Sequence, residues 1–480
     1  MGQLMLDGVP PYGVAANHKF PGAYLAYAAI MTCFGQTAAG IHIGMLLVNL
    51  ASTMLIFFLG RKLAGNVAGL AAAAAWVVMS VSPGVYGNAG HLTHFVMLAV
   101  LGGLVLLWRA LETGKAWMLW VAGTCLGVSV VVRQTSVLFV FFGLAFFWLT
   151  TRQNEKRNSR TAMIGLGAIV PLVAIAVWLW QAGVFPQFWR WTITQAAAYG
   201  SQVSVSDGIK NLLETTPKAI GWNLLIWLGM AAGTMIALSE RSRRGWFLAG
   251  FLLAGVIAVI PGLYFREHYY IQVLPAVALL FGLAVERAWV ARTYWRYLAV
   301  TGSIAAVLLP LIAQRSYYLE QSPTAMARYV FGANPFPEAI EIARYVEANS
   351  EPGDRIAVLG SEPEIYFYAH RRAATSLIYT YPLMERHRYA HELQETVARE
   401  IERASPKFIV VVSVSASWLE TAQSDRFIFD WATSFLAREY QLDGIADILA
   451  GGSQYVWGRA AADYQVQSIY FLSVYRRVSY

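Results

Sequence analysis

Leu6-Asp7-Gly8-Val9-Pro10-Pro11-Tyr12, running through Gly13 to Ala16 into Asn17-His18-Lys19-Phe20-Pro21-Gly22, is a polar, proline-rich stretch set directly before a long series of apolar segments. The two prolines and two glycines of residues 8–13 bar a regular helix there. Pro21-Gly22 then opens an apolar helical run over 23–34. Outward from this stretch the chain of 480 residues is 57% hydrophobic and only 13% charged, with a mean hydropathy of +0.47. Soluble domains carry about 25% charged residues. The composition therefore reads as an integral membrane protein, and the opening stretch as a polar loop at one membrane face. Seventeen Trp and 25 Tyr suit interfacial belts, where amphipathic rings sit at headgroup depth.

Apolar runs of roughly 16 to 23 residues, each long enough to span a bilayer core with help from its flanks, occupy 37–59, 67–82, 91–108, 117–132, 135–150, 161–182, 220–238, 246–262, 270–285 and 297–314. Basic residues gather in alternate connections, at 61–62, 109–115, 152–160, 241–244 and 287–296, which the positive-inside rule makes cytoplasmic. Residues 1–36, 82–90, the Arg133-Gln134 turn, 185–219, 264–269 and everything after 314 are then external. The net charge of +8 belongs to these short loops, which argues against nucleic acid as a partner. Cys33 and Cys125 both lie in apolar runs and read as packing residues. Ten spans with an external C-terminus require an external N-terminus, so a further helix is expected before Met1.

After residue 314 charged residues become frequent, and Asn334-Pro335-Phe336-Pro337 marks a linker. Helices are expected over 338–349, 362–370, 389–403 and 429–440, and strands over 355–359, 375–379, 408–414, 444–449 and 454–458. That alternation predicts a small α/β domain. Within it, 360–369 follows a strand and opens a helix, so its backbone amides are placed to receive an anion. The expected architecture is a mainly α membrane bundle of about ten spans followed by a small soluble α/β domain. Its parts are an external loop with a juxtamembrane helix (1–36), a transmembrane domain (37–315), a linker (316–335) and an external domain (336–480).

Leu-Asp-Gly-x-Pro-Pro-Tyr followed seven residues later by Lys-x-Pro-Gly resembles the first external loop of the GT-C class of membrane glycosyltransferases, the polyprenyl-phosphate-sugar-dependent protein mannosyltransferases and aminoarabinose transferases. In that family the loop reads Pro-Tyr-x-Asp-x-x-Asp-x-Lys-x-Pro; here Tyr12, Lys19 and Pro21 match, while Val14 and Asn17 stand at the two Asp positions. The family's catalytic Asp-Glu pair precedes the Leu-Asp-Gly step and would fall before Met1, so either the start is truncated or this chain departs from its family there. Arg133-Gln134 resembles a second phosphate contact of the family. Arg266-Glu267-His268-Tyr269-Tyr270, followed by Pro275, resembles its external His-Tyr-Tyr…Pro step.

The resemblance implies a sugar passed from a polyprenyl phosphate to a lipid, glycan or protein acceptor on the external face of a bacterial inner membrane, with inversion and without a nucleotide sugar. Lys19, Arg133 and Arg266 would hold the donor phosphate. Tyr12, Asn17, His18, His94, Gln134, His268 and Tyr269 would line the substrate site. Asp7 is the candidate base within the matching loop, with Asp207, Glu214 and Glu267 as other external carboxylates; Asp7 also suits a purely turn-shaping role. His18, His91, His94 and His268 all fall on the external side, so a divalent metal is conceivable; His91 and His94 stand one helical turn apart, but no carboxylate or thiolate joins them at ligand spacing, so a metal is not indicated and no cofactor is expected. The segment 185–219, with Trp189, Trp191 and Tyr199, reads either as a cover for the site or as an interfacial helix. Two rivals stay open: a transporter or flippase for a lipid-linked sugar, and a degenerate relative that only binds. The scarcity of charge within the spans weighs against the transporter.

Overall fold

The computed structural model comprises residues 1–478 except Ala16, Arg152, Asn154, Glu155, Arg292, Thr293, Arg386 and Arg388, and excludes the side chains of Ala198, Tyr199 and Glu320. Arg152 and Arg292, used above for orientation, and the Tyr199 side chain thus lie outside the described residues. The chain forms two compact units. One contains Gly2–Gly8 and His18–Glu320; the other contains Met1, Val9–Asn17 and Gln321–Tyr480.

The first unit is helical throughout. Its helices are α1 (Gly2–Leu6), α2 (Pro21–Phe34), α3 (Ala38–Ala64), α4 (Asn66–Ser80), α5 (Leu92–Thr113), α6 (Ala116–Val132), α7 (Val137–Thr150), α8 (Lys156–Gln181), α9 (Phe185–Trp189), α10 (Ala196–Gly200), α11 (Val205–Ile220), α12 (Leu224–Ser239), α13 (Arg243–Val259), α14 (Leu274–Val290) and α15 (Tyr294–Ala313). Among the described residues five helical runs are long and apolar enough to cross a membrane unaided: α3, α5, α8, the run Val205–Ser239 and α15. Other spans of the sequence reading, such as α4, α6 and α7, form apolar helices shorter than that. The chain is a multi-pass membrane protein.

The bundle is organised around α14, in which every residue of 274–283 is buried. Small residues let backbones approach in place of a hydrophobic driving force, which lipid does not supply. On α6 an added Cβ at Gly123 would lie 2.1 Å from the Ile164 carbonyl oxygen, and at Gly127 2.2 Å from that of Ala168. Gly167 of α8 answers with an approach of 2.1 Å to the Trp120 carbonyl. At the α3–α4 corner Gly65 has φ +122°, and the Glu286 carboxylate of α14 accepts from the Ala68 amide at 2.9 Å, satisfying one of the orphan donors of α4. The outer faces of α8 and α15 expose apolar side chains such as Leu166, Val173, Ile304 and Ile312, as lipid-facing surfaces do.

The second unit holds a six-stranded sheet, β1 (Arg355–Leu359), β2 (Arg372–Ala373), β3 (Phe408–Ser413), β4 (Tyr440–Leu449), β5 (Gly452–Trp457) and β6 (Phe471–Arg477), in the order β2-β1-β3-β6-β4-β5. The β2-β1-β3 part is parallel and the rest antiparallel. Its main helices span Phe336–Ala348, Glu364–Ala369, Ala390–Ala404 and Phe427–Glu439. Two expectations are corrected here. Residues 375–379 form no strand, because the Glu400 carboxylate accepts from the Thr375 hydroxyl at 2.9 Å and the Ser376 amide at 2.7 Å and folds the segment away from the ladder. The 360–363 turn is engaged from within the unit, because the Ser361 amide donates to the Ser417 hydroxyl at 2.8 Å and that hydroxyl donates to the Glu362 carboxylate at 2.8 Å.

Candidate functional site

Pro21 and Gly22 start α2, and a Cβ on Gly22 would lie 2.6 Å from the Val131 carbonyl oxygen. The first turn of α2 therefore rests on the last turn of α6. Lys19 stands just before the one, and Arg133 is the C-cap of the other. The Tyr24 hydroxyl donates to the Lys19 carbonyl at 3.3 Å, and Gln134 Nε2 donates to the His18 carbonyl at 3.5 Å and to that of Thr192 at 3.3 Å. Stacking of His18 on Trp191, centroids 5.9 Å apart, and contact of Phe20 with Phe188 at 5.4 Å complete this wall. The 185–200 stretch thus packs on the Lys19 loop through α9 and a π-helical turn, Arg190–Gln195, an uncommon geometry that recurs at functional sites.

The facing wall is the 3₁₀ turn Glu267–Gln272 between α13 and α14, reached through Leu263 and Phe265, both left-handed at φ +57° and +46°. Such conformations persist where surrounding contacts over-determine them. Tyr269 lies beneath the Arg133 guanidinium, 4.0 Å from Cζ to ring centroid. Thr135 donates to Gln272 Oε1 at 3.3 Å and ties the α6–α7 turn to the same segment. His268 meets Tyr269 edge-on at 4.8 Å and stacks on His91, the N-cap of α5, with centroids 4.1 Å apart and planes 7° from parallel.

The electrostatics place Lys19, Arg133 and Arg266 in one neighbourhood. Burial, then Arg133, then Arg266 push the Lys19 ammonium down to about 8. Lys19 lies deep among protein atoms yet keeps solvent contact, as a group lining a recess does. Burial holds the Arg133 guanidinium below its ordinary value, against an opposing contribution from Tyr269. His91 is pushed down to about 3 by burial, then by His94, Lys19 and Arg133. His268 is held well below the ordinary histidine range by burial, then by His91, Lys19, Arg133 and Arg266. The arrangement gathers three cations around two imidazoles that the same field keeps neutral.

Of the residues singled out in the sequence, the bundle unit brings together His18, Lys19, Arg133, Gln134, Arg266, His268 and Tyr269. His94 sits behind them, buried, with Nε2 3.1 Å from the Ser80 carbonyl and Nδ1 3.3 Å from that of His91. Asp7 is exposed in the turn after α1 and is not among the groups that perturb Lys19, His91 or His268. Tyr12, buried and left-handed at φ +68°, and Asn17 belong to the other unit. Glu267 accepts a hydrogen bond from Tyr86, whose hydroxyl is pushed up to about 12 by burial and then by Glu267. The place of His91 was not legible from spacing, which pairs it with His94 one turn on; the structure pairs it with His268, 177 positions later by 268 − 91. Among the described residues no three His, Cys, Asp or Glu side chains gather as a metal site.

Residues 17–180 match the family model described as dolichyl-phosphate-mannose-protein mannosyltransferase. Among solved structures the chain is similar to ArnT from Cupriavidus metallidurans bound to undecaprenyl phosphate, with a TM-score of 0.63 at 13% identity over 100% of this chain and 92% of that one. For the same protein in the apo state the TM-score is 0.59 at 12% identity, over 99% and 91%. For the Archaeoglobus fulgidus oligosaccharyltransferase tethered with an acceptor peptide containing the NVT sequon it is 0.50 at 14% identity, over 96% and 68%. At these identities the likeness is one of fold. No curated protein matches the chain.

Proposed function

We propose that this chain, a GT-C-type membrane protein related through residues 17–180 to the dolichyl-phosphate-mannose-protein mannosyltransferases, transfers a sugar from a polyprenyl phosphate to a lipid, glycan or protein acceptor. The reaction takes place at the external face of a bacterial inner membrane, with the C-terminal unit periplasmic. The observation that carries this reading is geometric: Lys19, just before α2, and Arg133, at the end of α6, meet where Gly22 packs on Val131, and Arg133 lies over Tyr269 of the turn whose N-cap is Arg266.

Three like charges held together destabilise the empty site, and a phosphate offsets their repulsion. The donor is a phosphodiester with one negative charge. When the acceptor attacks the anomeric carbon from the opposite side, the phosphate leaves with the bonding pair and gains a second charge. Cations fixed beforehand stabilise that extra charge more than the ground state, which is the condition for catalysis. Tyr269 keeps the Arg133 guanidinium in place through its ring and a side-chain hydrogen bond, and the remaining N–H groups of the fork would serve phosphate oxygens. Attack opposite the leaving group inverts the anomeric centre.

The test is Lys19→Ala in the full-length protein in detergent, with undecaprenyl phosphate as the probe and transfer to endogenous acceptor in native membranes as the activity. Affinity for the lipid should fall at least tenfold and transfer should be lost, while the empty bundle unfolds at a temperature no lower than that of wild type, since a mutually repelling charge has been removed. Unaltered lipid affinity in that variant would remove the phosphate assignment.

A further inference from the structure

A cavity of about 860 Å³ lies wholly within the C-terminal unit, between the helices Pro323–Phe331 and Phe336–Ala348 on one side and the β4–β5 turn with the approach to β6 on the other. Register builds the sheet side. Ile448 of β4 pairs with Ser453 of β5, and its amide donates to the Tyr470 carbonyl at 3.0 Å, so Ser453 and Tyr470 flank one residue. The buried Asp447 carboxylate accepts from the Gln467 amide at 2.8 Å and the Ser468 amide at 3.2 Å, which fixes the segment leading to Tyr470.

A buried charge joins the two sides. Glu338 is fully buried, and its Oε1 accepts from Arg328 Nη2 and from the Ser453 hydroxyl. Arg328 Nη1 donates to the Asn334 carbonyl at 2.9 Å and to that of Gly332 at 3.3 Å, and Nη2 also reaches Ser453 Oγ at 3.3 Å. Burying such a pair adds little stability over apolar residues of the same size. What it supplies is a guanidinium held in place before any ligand arrives, 27% exposed and with Nε–H as its remaining donor. Glu338 itself is beyond a ligand's reach. Glu341, three residues on, is 42% exposed and among the described residues is engaged only at Oε1, by Arg344 Nη1 at 2.5 Å. Tyr455 and Tyr470 add half-buried rings, and exposed Ile469 adds an apolar side chain. Burial, then Glu338 and Glu341, push the Tyr455 hydroxyl up to about 12, so it remains a donor at neutral pH.

Both carboxylates of the lining are paired with arginines, Glu338 with Arg328 and Glu341 with Arg344, so neither an anion nor a cation meets an uncompensated charge. The same polar groups make the cavity a poor place for an acyl chain. A sugar ring matches the mixture: its C–H faces pack on aromatic rings, and its hydroxyls both donate to a carboxylate and accept from a guanidinium. We propose that this cavity binds a neutral saccharide of about disaccharide size, with Tyr455 and Tyr470 against its C–H faces and Glu341 and Arg328 against its hydroxyls. None of these residues belongs to the unit that holds Lys19, Arg133 and Arg266, and the inference stands whether or not the bundle transfers sugar.

The test uses the full-length protein in lipid nanodiscs, free of sugar-based detergent, titrated calorimetrically with maltose, cellobiose and N,N′-diacetylchitobiose. At least one of them should bind with a dissociation constant on the order of 1 mM or tighter. Glu341→Gln keeps the shape of a partly exposed side chain and should weaken that binding roughly tenfold. Tyr455→Ala should abolish it; should this variant fail to fold, Glu341→Gln decides alone. Lys19→Ala, in the bundle unit, should bind the saccharide as wild type does. Absence of binding by all three sugars overturns the inference. So does binding that Glu341→Gln leaves unchanged or that Lys19→Ala removes, since the sugar then sits elsewhere in the protein.

Discussion

Lys19 shows how a single charge reports on its surroundings. Burial and the two arginines lower its folded pKa to about 8, so between that value and the ordinary 10.4 or so the unfolded chain binds more protons than the folded one. By linkage the empty bundle gains stability as pH rises through this window. On the proposed phosphate role of Lys19, lipid binding should have the opposite dependence, because the ligand would need the ammonium. Undecaprenyl phosphate is fully dianionic above about pH 7, its second pKa being near 6. Its dissociation constant should therefore rise about twofold from pH 7 to 8 and then steepen toward tenfold per pH unit. Lys19→Arg, which stays charged, should keep the affinity at pH 7 within a few-fold and flatten the rise; calorimetric titration at pH 7 to 9.5 reads both. Lys19 stood out in the sequence because a lysine two residues before Pro-Gly has a recognisable place in a loop motif. The His91–His268 stack did not, because local spacing carries no information about a partner on a distant loop.

At the scale of elements, the site is only as well placed as the helices that end in it. Arg133 caps α6, and α6 is held against α8 by Gly123, Gly127 and Gly167, each within about van der Waals reach of the opposing backbone. Gly127→Val would drive a branched side chain into the Ala168 carbonyl, so the helices must part or α6 must shift along its axis. Overpacking of this kind costs about 1–3 kcal/mol. The variant should unfold several degrees lower in a detergent thermal scan and bind undecaprenyl phosphate more weakly, since Arg133 moves with its helix. Gly102, with nothing within 4 Å of an added Cβ, is the control: Gly102→Ala should leave both readouts unchanged. The Gly123 to Gly127 spacing stands openly in the sequence, but a four-residue interval in an apolar helix does not say which helix it meets. The same limit explains 375–379, whose β-like composition yields to a carboxylate from Glu400 that only tertiary structure brings there. It also explains β6, inserted between β3 and β4 although it comes last in the chain.

On the scale of the whole molecule, hydropathy was enough to separate an apolar bundle from a mixed α/β unit. It could not reveal that Val9–Asn17 groups with Gln321–Tyr480 rather than with the helices that follow it. Tyr12 and Asn17 are assigned to one unit and Lys19 to the other, so adjacency within one motif did not translate into membership of one compact unit. The two units should also answer pH in opposite directions. In the C-terminal unit Glu362 is pushed up to about 7, chiefly by burial and against the hydrogen bond from Ser417, and Glu364 to about 8 by burial and then by Glu362. Carboxyls raised above their unfolded values bind more protons in the native state, so this unit loses stability as pH climbs from about 4.5 through 8. The bundle, through Lys19, gains only above about 8. Unfolding of the intact protein should accordingly depart from a single cooperative transition, with the sheet-associated loss in circular dichroism moving to lower temperature between pH 5 and 8. Glu364→Gln removes the ionisation while keeping the shape of the side chain. It should raise the midpoint of that transition at pH 8 by several degrees, change it little at pH 5, and leave transfer activity at neutral pH intact. Equal shifts at both pH values would mean that repacking, and not the buried charge, sets the stability of this unit.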